Sequence, residues 1–393
     1  MGEWLEKTLG ELTSYMAKGI PPKYVEAAGK ETIRVLNQKC NRNYRISYAE
    51  SRLHDNSVKK APEDKMLRDF DVLVNSTGTG TAGRVAQIWH VPEPTTLDGH
   101  MILMRPTEEI DPLYYGYAIK SFQAQVESFA EGSTGQTEIN KRRLQDEVVI
   151  RFPVSQDKQK AVGRMLKSID EKIQNNEEIN ENLQEQAQTI FCNMFPEIFS
   201  SNGETTLDQL IVFSNGKKRP QVSGNIPVYG GNGILAYTSD ANAENCVIIG
   251  RVGAYCGNTF LCTGKCWVSD NAIQAKSKNS KSQLFIFYLL SNAALPSRHI
   301  GTGQPLMTQG ILNAIPILLP EQSQTDLFNE IVDPIHKIID KNNAENKFLA
   351  NIRDTLLTKL MSGEIDVSQV KLTSCASKNI NQKTRCLIQA KGC

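Results

Sequence analysis

A chain of 393 residues has room for two or three domains, each with its own core. Its 40% hydrophobic and 22% charged residues are ordinary for a soluble protein, and no run of about 18 apolar residues is present to form a membrane span. The net charge of +1 excludes nothing, but nine cysteines at irregular spacing argue against a disulfide framework and for a reducing cytoplasm.

In chain order, the first globular stretch is expected over 1–154. Its N-terminus, MGEWLEKTLGELTS, is amphipathic and acidic, so a helix near 3–16 is expected and a signal peptide is not. Short apolar runs at 71–74, 84–89, 101–104 and 148–150 are punctuated by Gly, Pro, Asn and Asp and read as strands. A further helix is expected over 111–129. The class is α+β with mixed rather than strictly parallel strands.

Residues 155–196 change character. Apolar positions recur at Val162, Leu166, Ile169, Ile173, Ile179, Leu183, Ala187, Ile190 and Met194, with Asn176 filling the gap. This pattern predicts one helix of about 40 residues, ~60 Å long at 1.5 Å per residue, with Ser155 as its N-cap. A second globular stretch follows over 197–320, with strands near 226–238, 245–251, 258–262 and 266–275 and a helix over 285–292. Residues 321–362 repeat the long-helix pattern through Leu327, Ile331, Ile335, Ile338, Asn342, Leu349, Ile352, Leu356 and Leu360. Pro334 is expected to kink or restart that helix, and Gly363 to stop it. Residues 363–393 form a tail. From 371 onward it is basic, lacks acids and carries Cys375, Cys386 and Cys393, and it is expected to be disordered.

The chain repeats itself. GSTGQTEINKRRL (132–144) matches GTGQPLMTQGIL (301–312), and Leu144 and Leu312 stand 168 positions apart. A weaker match joins TLGEL (8–12) to TLDQL (206–210), offset by 198. Two copies of one unit, globular part then helix, imply a pseudo-two-fold molecule suited to a two-part target. Each long helix needs a partner for its apolar stripe, and antiparallel pairing of the two is the simplest solution. Asn176 and Asn342 either fix the register of that pairing or face water.

Charge is unevenly placed. Residues 18–60 carry ten Lys/Arg against four Asp/Glu, and 196–320 carry nine against six. Residues 155–195 carry five against seven. Basic fields on the globular parts suit a phosphate backbone, although a solvated basic face explains charge alone. The stretch KCNRNYR (39–45) holds the side chains that match guanine (Arg) and adenine (Asn). NSTGTGT (75–81) offers glycines for close backbone approach and hydroxyls for phosphates or bases; it is either a tight turn or a ligand loop, and it lacks the Gly-Lys-Ser/Thr of a phosphate-binding P-loop. Cys246, Cys256, Cys262 and Cys266 lack the tight Cys-x2-Cys knuckles of a zinc ribbon and read as buried thiols. No catalytic motif, metal-ligand set or nucleotide fingerprint is found, so no catalytic residue is assigned.

The whole constellation resembles the specificity subunit of type I restriction–modification systems, over nearly the full chain to about residue 370. The carriers are NSTGTGTAGRVA (75–86), GSTGQTEINKRRL (132–144), IPVYGGNG (226–233), GRVGAYCGN (250–258), WVSDNAI (267–273), GTGQPLMTQGIL (301–312) and RDTLLTKLMSGEIDVS (353–368). The resemblance implies two target-recognition domains, each followed by a long helix, the two helices paired as an antiparallel coiled coil. It implies a non-catalytic chain that reads a bipartite duplex DNA target and binds two methylation subunits, which the restriction subunits join. No cofactor is then expected on this chain; S-adenosylmethionine, ATP and magnesium belong to the partners. The final 23 residues depart from the usual ending.

On that reading, direct recognition is assigned in the first unit to Arg42, Asn43, Arg45, Asn75, Thr77, Thr79 and Arg84. In the second it is assigned to Lys217, Lys218, Arg219, Arg251 and Gln304. Gln136 and Gln304 have an alternative role, capping the turn that enters each long helix. Domains about 50–60 Å apart meet major grooves roughly one and a half turns apart, so helix length acts as a ruler. Three alternatives stay open: the specificity module of another DNA-modification defence system, a coiled-coil scaffold without a DNA role, and a hydrolase. A neighbouring restriction gene separates the first, the two basic units argue against the second, and the third requires activity from the isolated chain.

Overall fold

The computed structural model describes residues 3–132, 137–200, 203, 205–278, 283–301 and 303–365. Most of the expected tail, from residue 366, lies outside them, as do residues 133–136. Among the described residues the α-helices are α1 Pro112–Ser121, α2 Gln123–Ser128, α3 Lys141–Glu147, α4 Gln156–Met194, α5 Gln283–Ser291, α6 Gln309–Asn313 and α7 Gln322–Met361. The chain divides into two compact units. One takes Met1–Ile173 and Lys347–Cys393, and the other Gln174–Asn346. Residues of α4 and α7 take part in both units, because their buried faces belong to the units' cores.

In the first unit, strands Thr13–Lys18, Met101–Pro106, Val72–Asn75 and Val85–Gln87 adjoin in that order, all antiparallel. A second sheet orders Thr95–Leu97, Thr32–Leu36, Arg52–Asp55 and Tyr24–Val25, its first pair parallel and the others antiparallel. Val72–Asn75 is buried throughout, which explains a continuous apolar run rather than an alternating one. Trp4–Thr8 pairs antiparallel with Val149–Pro153. The helix expected near 3–16 is thus two strands, Trp4–Thr8 and Thr13–Lys18. Pairing with distant strands overrides the local helical pattern. The helix expected over 111–129 is broken into α1 and α2 at Phe122, where φ −97 and ψ 9 leave the helical region. Asp111 starts α1 by accepting from the N–H groups of Leu113 and Tyr114, with Pro112 in the first turn.

The core of this unit joins Tyr114, Ile150 and Phe152 to Val162 and Leu166 of α4 and to Leu357 and Leu360 of α7. At its edge Asp170 accepts from Arg353 Nη1 at 2.6 Å and from the Tyr117 hydroxyl at 2.7 Å. Both charged side chains are largely buried. Nearby, Lys120 Nζ lies 4.3 Å from the centre of the Tyr44 ring. Burial, helped by the Arg353 charge, lowers the Lys120 pKa to about 8.

The second unit is built on one six-stranded sheet. Its order is Ile211–Asn215, Ala272–Ser277, Ala243–Gly250, Thr259–Val268, Ile226–Gly230 and Gly233–Thr238. All neighbours are antiparallel except Ile226–Gly230 with Thr259–Val268. Phe191 of α4, Phe195 just past its end, Phe285 and Tyr288 of α5 and Phe328 of α7 form an aromatic core with ring centroids 5.2–6.1 Å apart. Cys246, Cys256, Cys262 and Cys266 are buried, and Cys246 and Cys266 bring their sulfurs within 3.8 Å. The hydrogen bond between Cys266 and Cys246, with burial, pushes Cys266 up to about 12.

In this unit α4 and α7 pack antiparallel through amides. Asn176 Nδ2 donates to Glu345 Oε2 at 2.9 Å and Asn346 Oδ1 at 2.8 Å. Asn180 donates to Asn343 Oδ1 at 3.0 Å and accepts from Asn342 at 2.8 Å. Asn176 and Asn342 are therefore in the seam. The expected stripe is displaced around them: Ile179, Leu327, Ile331 and Ile338 are 40–51% exposed, whereas Asn180, Phe328, Val332 and Ile339 are buried. Polar residues occupy seam positions, so a purely apolar reading slips to the adjoining line. α7 also runs unbroken through Pro334. Pro334 and Glu330 are both exposed, so water can satisfy the carbonyl that proline deprives of a donor.

The two units share one hydrogen-bonding frame. Leu9 N–H donates to Val148 O, and Leu207 N–H to Ile315 O. Gly19 N–H meets Met101 O and Gly216 N–H meets Ala272 O; parallel bridges Ile20↔Asp98 and Lys217↔Ser269 follow. Val35↔Thr96 is matched by Val228↔Trp267. Ile139 N–H donates to Ser76 O, and Met307 N–H to Arg251 O. Asn140 caps α3 and Thr308 caps α6, placing Leu144 and Leu312 in their cores. Tyr117 of α1 corresponds to Tyr288 of α5. The repeat seen in two short strings therefore extends through each unit.

Candidate nucleic-acid interface

The frame presents a corresponding loop in each unit. In the first, Asn75 N–H donates to Arg84 O and Gly83 N–H returns to Asn75 O, closing residues 76–82 into a loop. In the second, Gly250 N–H donates to Asn258 O and Gly257 N–H returns to Gly250 O, closing 251–256. Gly83 and Gly257 have φ of 85° and 87°. A Cβ at Gly83 would lie 2.6 Å from Glu127 Cα, and one at Gly257 2.5 Å from Pro296 N. Glycine is required at both closures for conformation and for space.

In the first unit the loop is pinned from beneath. Asn75 is fully buried, its Nδ2 donates to Gln38 O, and its Oδ1 accepts from Asn41 Nδ2 at 3.1 Å. It holds the loop and is withdrawn from direct recognition. Thr77 is half-buried, with Oγ1 2.8 Å from His100 Nδ1 and 3.3 Å from Gln38 Oε1. Thr79 is exposed. Arg84 is half-buried and donates from Nη2 to Gly80 O at 3.0 Å, bracing the loop.

Arg42, Asn43 and Arg45 lie on a hairpin formed by Asn41–Arg42 and Arg45–Ile46. Its tip, Asn43-Tyr44, has φ of 52° and 64°, as a two-residue turn of the I′ kind demands. Tyr44 is buried against Tyr117, with ring centroids 5.0 Å apart, so its strained backbone is held by packing. Arg42 and Asn43 are exposed and Arg45 is half-buried. Lys39, Arg52 and His100 line an adjoining cleft of about 490 Å³ with Tyr24 and Asp98. The Arg52 guanidinium stacks 3.4 Å from the Tyr24 ring centre. Part of the local positive charge is internally matched, as in the Lys18–Glu138 and Arg34–Glu93 ion pairs.

In the second unit Lys217, Lys218 and Arg219 are exposed, and Trp267 Nε1 donates to Lys217 O at 3.1 Å. Arg251 opens the loop. Its N–H donates to Asn271 O, and its Nε is buried with no partner among the described residues. Tyr255 on the same loop is 47% exposed. Gln304 is exposed within the backbone-closed turn between Ile300 and Leu306. The cap of α6 is Thr308. Gln136 lies outside the described residues. Thr77 and Thr79 thus lie on the first unit's loop with Arg84 at its closure, Arg251 lies on the second's, the Val252↔Leu306 bridge joins the turn of Gln304 to it, and Asn75 is internal.

Sequence reasoning passed over His100 and Asn271. Both are exposed, and both stand third in a turn that enters a buried strand: Met101 N–H donates to Asp98 O and Ala272 N–H to Ser269 O. The legible signal was an Asp or Ser three residues before an apolar run, in DGHMIL and SDNAI.

Two copies of one loop-bearing frame define a duplicated binding protein, and comparison with known proteins says for what. The family model described as the type I restriction modification DNA specificity domain matches residues 1–185 and 204–353. The chain belongs to that family. It is a DNA-specificity chain and not an enzyme in its own right. In fold it is similar to the S subunit of the type I restriction–modification system from M. genitalium, with 19% identity and a TM-score of 0.55, covering 91% of this chain and 96% of that one. A structure titled for complex assembly and conformational transition of the type I R-M system matches at 14% identity and TM-score 0.42, covering 93% and 98%. The HsdS subunit from Thermoanaerobacter tengcongensis matches at 13% identity and TM-score 0.36, covering 92% and 97%. No curated protein matches the sequence. No helix among the described residues is long and apolar enough to cross a membrane.

Proposed function

We propose that the chain reads a bipartite duplex DNA target, one half-site per unit, and docks two methylation subunits that the restriction subunits join. The observation that carries this reading is the duplicated frame: corresponding loops, 76–82 and 251–256, closed by the same hydrogen bonds. The reading hairpin and loop of the first unit carry Arg42, Asn43, Arg45, Thr77, Thr79 and Arg84. The second unit uses Lys217, Lys218, Arg219, Arg251 and Gln304. Exposed apolar side chains on α7, Leu327, Ile331 and Ile338, support a protein partner on that helix. S-adenosylmethionine, ATP and magnesium then belong to the partner subunits, and the assembly works in the cytoplasm.

Methylome sequencing after co-expression with the neighbouring methylation subunit tests this reading. A methylated motif of two half-sites with a fixed gap is expected. A continuous motif, or no methylation from a stable complex, overturns it. The ruler role of the helices has its own test: one added heptad in both α4 and α7 lengthens the gap and leaves both half-sites unchanged. An unchanged gap refutes the ruler.

A further inference from the structure

We propose that His100 and Asn271 are a matched pair of specificity residues, one for each half-site, making base-edge contacts beside the two loops. This rests on the DNA-reading function proposed above and adds residues to it. The two positions are equivalent by the frame rather than by sequence. His100 O accepts from Ser76 N–H and Asn271 O accepts from Arg251 N–H, so each is tied to the first residue of its unit's loop. Each follows a buried turn residue, Asp98 or Ser269, and precedes a fully buried one, Met101 or Ala272. The exposed side chain is thus a polar group raised from a rigid, buried base.

The chemistry fits recognition. Asn271 offers an amide donor and acceptor together, the pattern that matches the adenine edge in the major groove. His100 has Nδ1 engaged with Thr77 Oγ1 at 2.8 Å, and Thr77 in turn meets Gln38. The ring is therefore oriented before any ligand arrives. Because Thr77 gives its proton to Gln38, Nδ1–H donates to Thr77 and Nε2 of the neutral ring remains as an acceptor, suited to a single contact with an exocyclic amine of cytosine or adenine. Cations adjoin both positions: Lys39 and Arg52 share the cleft with His100, and Arg251 is bonded to Asn271 through the backbone. They can hold phosphates while the polar group reads an edge.

The test is selection from a randomised duplex library by the full chain in complex with its methylation subunit, using the parent, His100→Ala, Asn271→Ala and His100→Asn. Thermal melting of each variant confirms that it is folded. A parent with two preferred half-sites is the baseline; a parent without any preference overturns the DNA reading itself. Given that baseline, His100→Ala is expected to lose about tenfold discrimination at one position of one half-site, and Asn271→Ala the same in the other half-site only. His100→Asn is expected to change the preferred base at the affected position. Unchanged preferences, or uniform weakening on all sequences with a flatter salt dependence, would mean no contact or a phosphate contact and would overturn the pairing.

Discussion

The two units differ most where one strand hands over to its neighbour. In the second unit, Ile226–Gly230 turns directly into Gly233–Thr238. In the first unit, the corresponding strand Thr32–Leu36 reaches Arg52–Asp55 only after residues 37–51. That connection contains the Asn41–Ile46 hairpin, with Arg42, Asn43 and Arg45. Much of the first unit's extra length therefore lies in one insertion, and the insertion carries recognition candidates that the second unit lacks. The loops at 76–82 and 251–256 are common property; the hairpin is private. One frame can support different readers because its hydrogen bonds involve backbone and leave the loop side chains free to vary.

The largest effect should come from the support beneath the private hairpin. Tyr44 packs on Tyr117, and Tyr117 donates to Asp170, which is paired with Arg353. Removing one partner of a buried pair leaves a charge uncompensated. Arg353→Leu is expected to destabilise the first unit by about 3–5 kcal/mol, measured by chemical denaturation. Hydrogen exchange should show the loss in α1 and the hairpin, with α5 protected as before. Equal loss in both units would break the distinction between private and shared parts.

Next come the loop closures, where the units should respond alike. Gly83→Val and Gly257→Val each force a side chain onto backbone at positive φ. Each is expected to cost roughly 2–4 kcal/mol and to abolish reading of its own half-site alone. A variant that melts like the parent would show that its closure yields more easily than its geometry implies.

Much of this was legible from sequence, and the failures have physical causes. The repeat, the α+β class and the two long helices follow from patterning, because spacing and turn residues are local signals. The strand Trp4–Thr8 was misread since its partner, Val149–Pro153, is distant in sequence. The helical seam slipped onto Ile179 because buried asparagines satisfy one another across α4 and α7, and no apolar index registers that. Asn75 looked like a ligand residue because its polarity is visible in sequence, while its burial against Asn41 is not. His100 and Asn271 were invisible for the opposite reason: single polar residues acquire meaning only when the frame sets them side by side.

The private hairpin gives the sharpest contrast in recognition. Arg42 is exposed near its tip and has no structural counterpart among the described residues of the second unit, where Ile226–Gly230 turns directly into Gly233–Thr238. If it contacts a base, Arg42→Ala should cost about 1–3 kcal/mol at one position of the first unit's half-site. If it contacts phosphate, binding weakens uniformly and the salt slope falls by about one. Binding to a panel of single-base variants separates these outcomes. An effect at the second half-site would place the hairpin's role elsewhere.

The smallest effect distinguishes the units by pH. The equivalent tyrosines meet different partners: Tyr117 donates to Asp170, whereas the Tyr288 hydroxyl lies 2.8 Å from His336 Nε2. Burial lowers the His336 pKa below its ordinary value of 6.5, against the opposing pull of Asp340 and Asp333. As pH falls through 6.5, the unfolded chain takes up a proton that the folded imidazole resists. Folding is then opposed, and stability is lost progressively until the pH reaches the lowered folded value. Acidification from pH 7 should therefore loosen α5 and the second unit's aromatic core, seen as faster hydrogen exchange there. His336→Gln, which cannot titrate but can still meet the tyrosine hydroxyl, should flatten that dependence. If the substituted protein keeps the parent's acid slope, His336 is not the titrating group, and the different partners of the two tyrosines do not set a pH difference between the units.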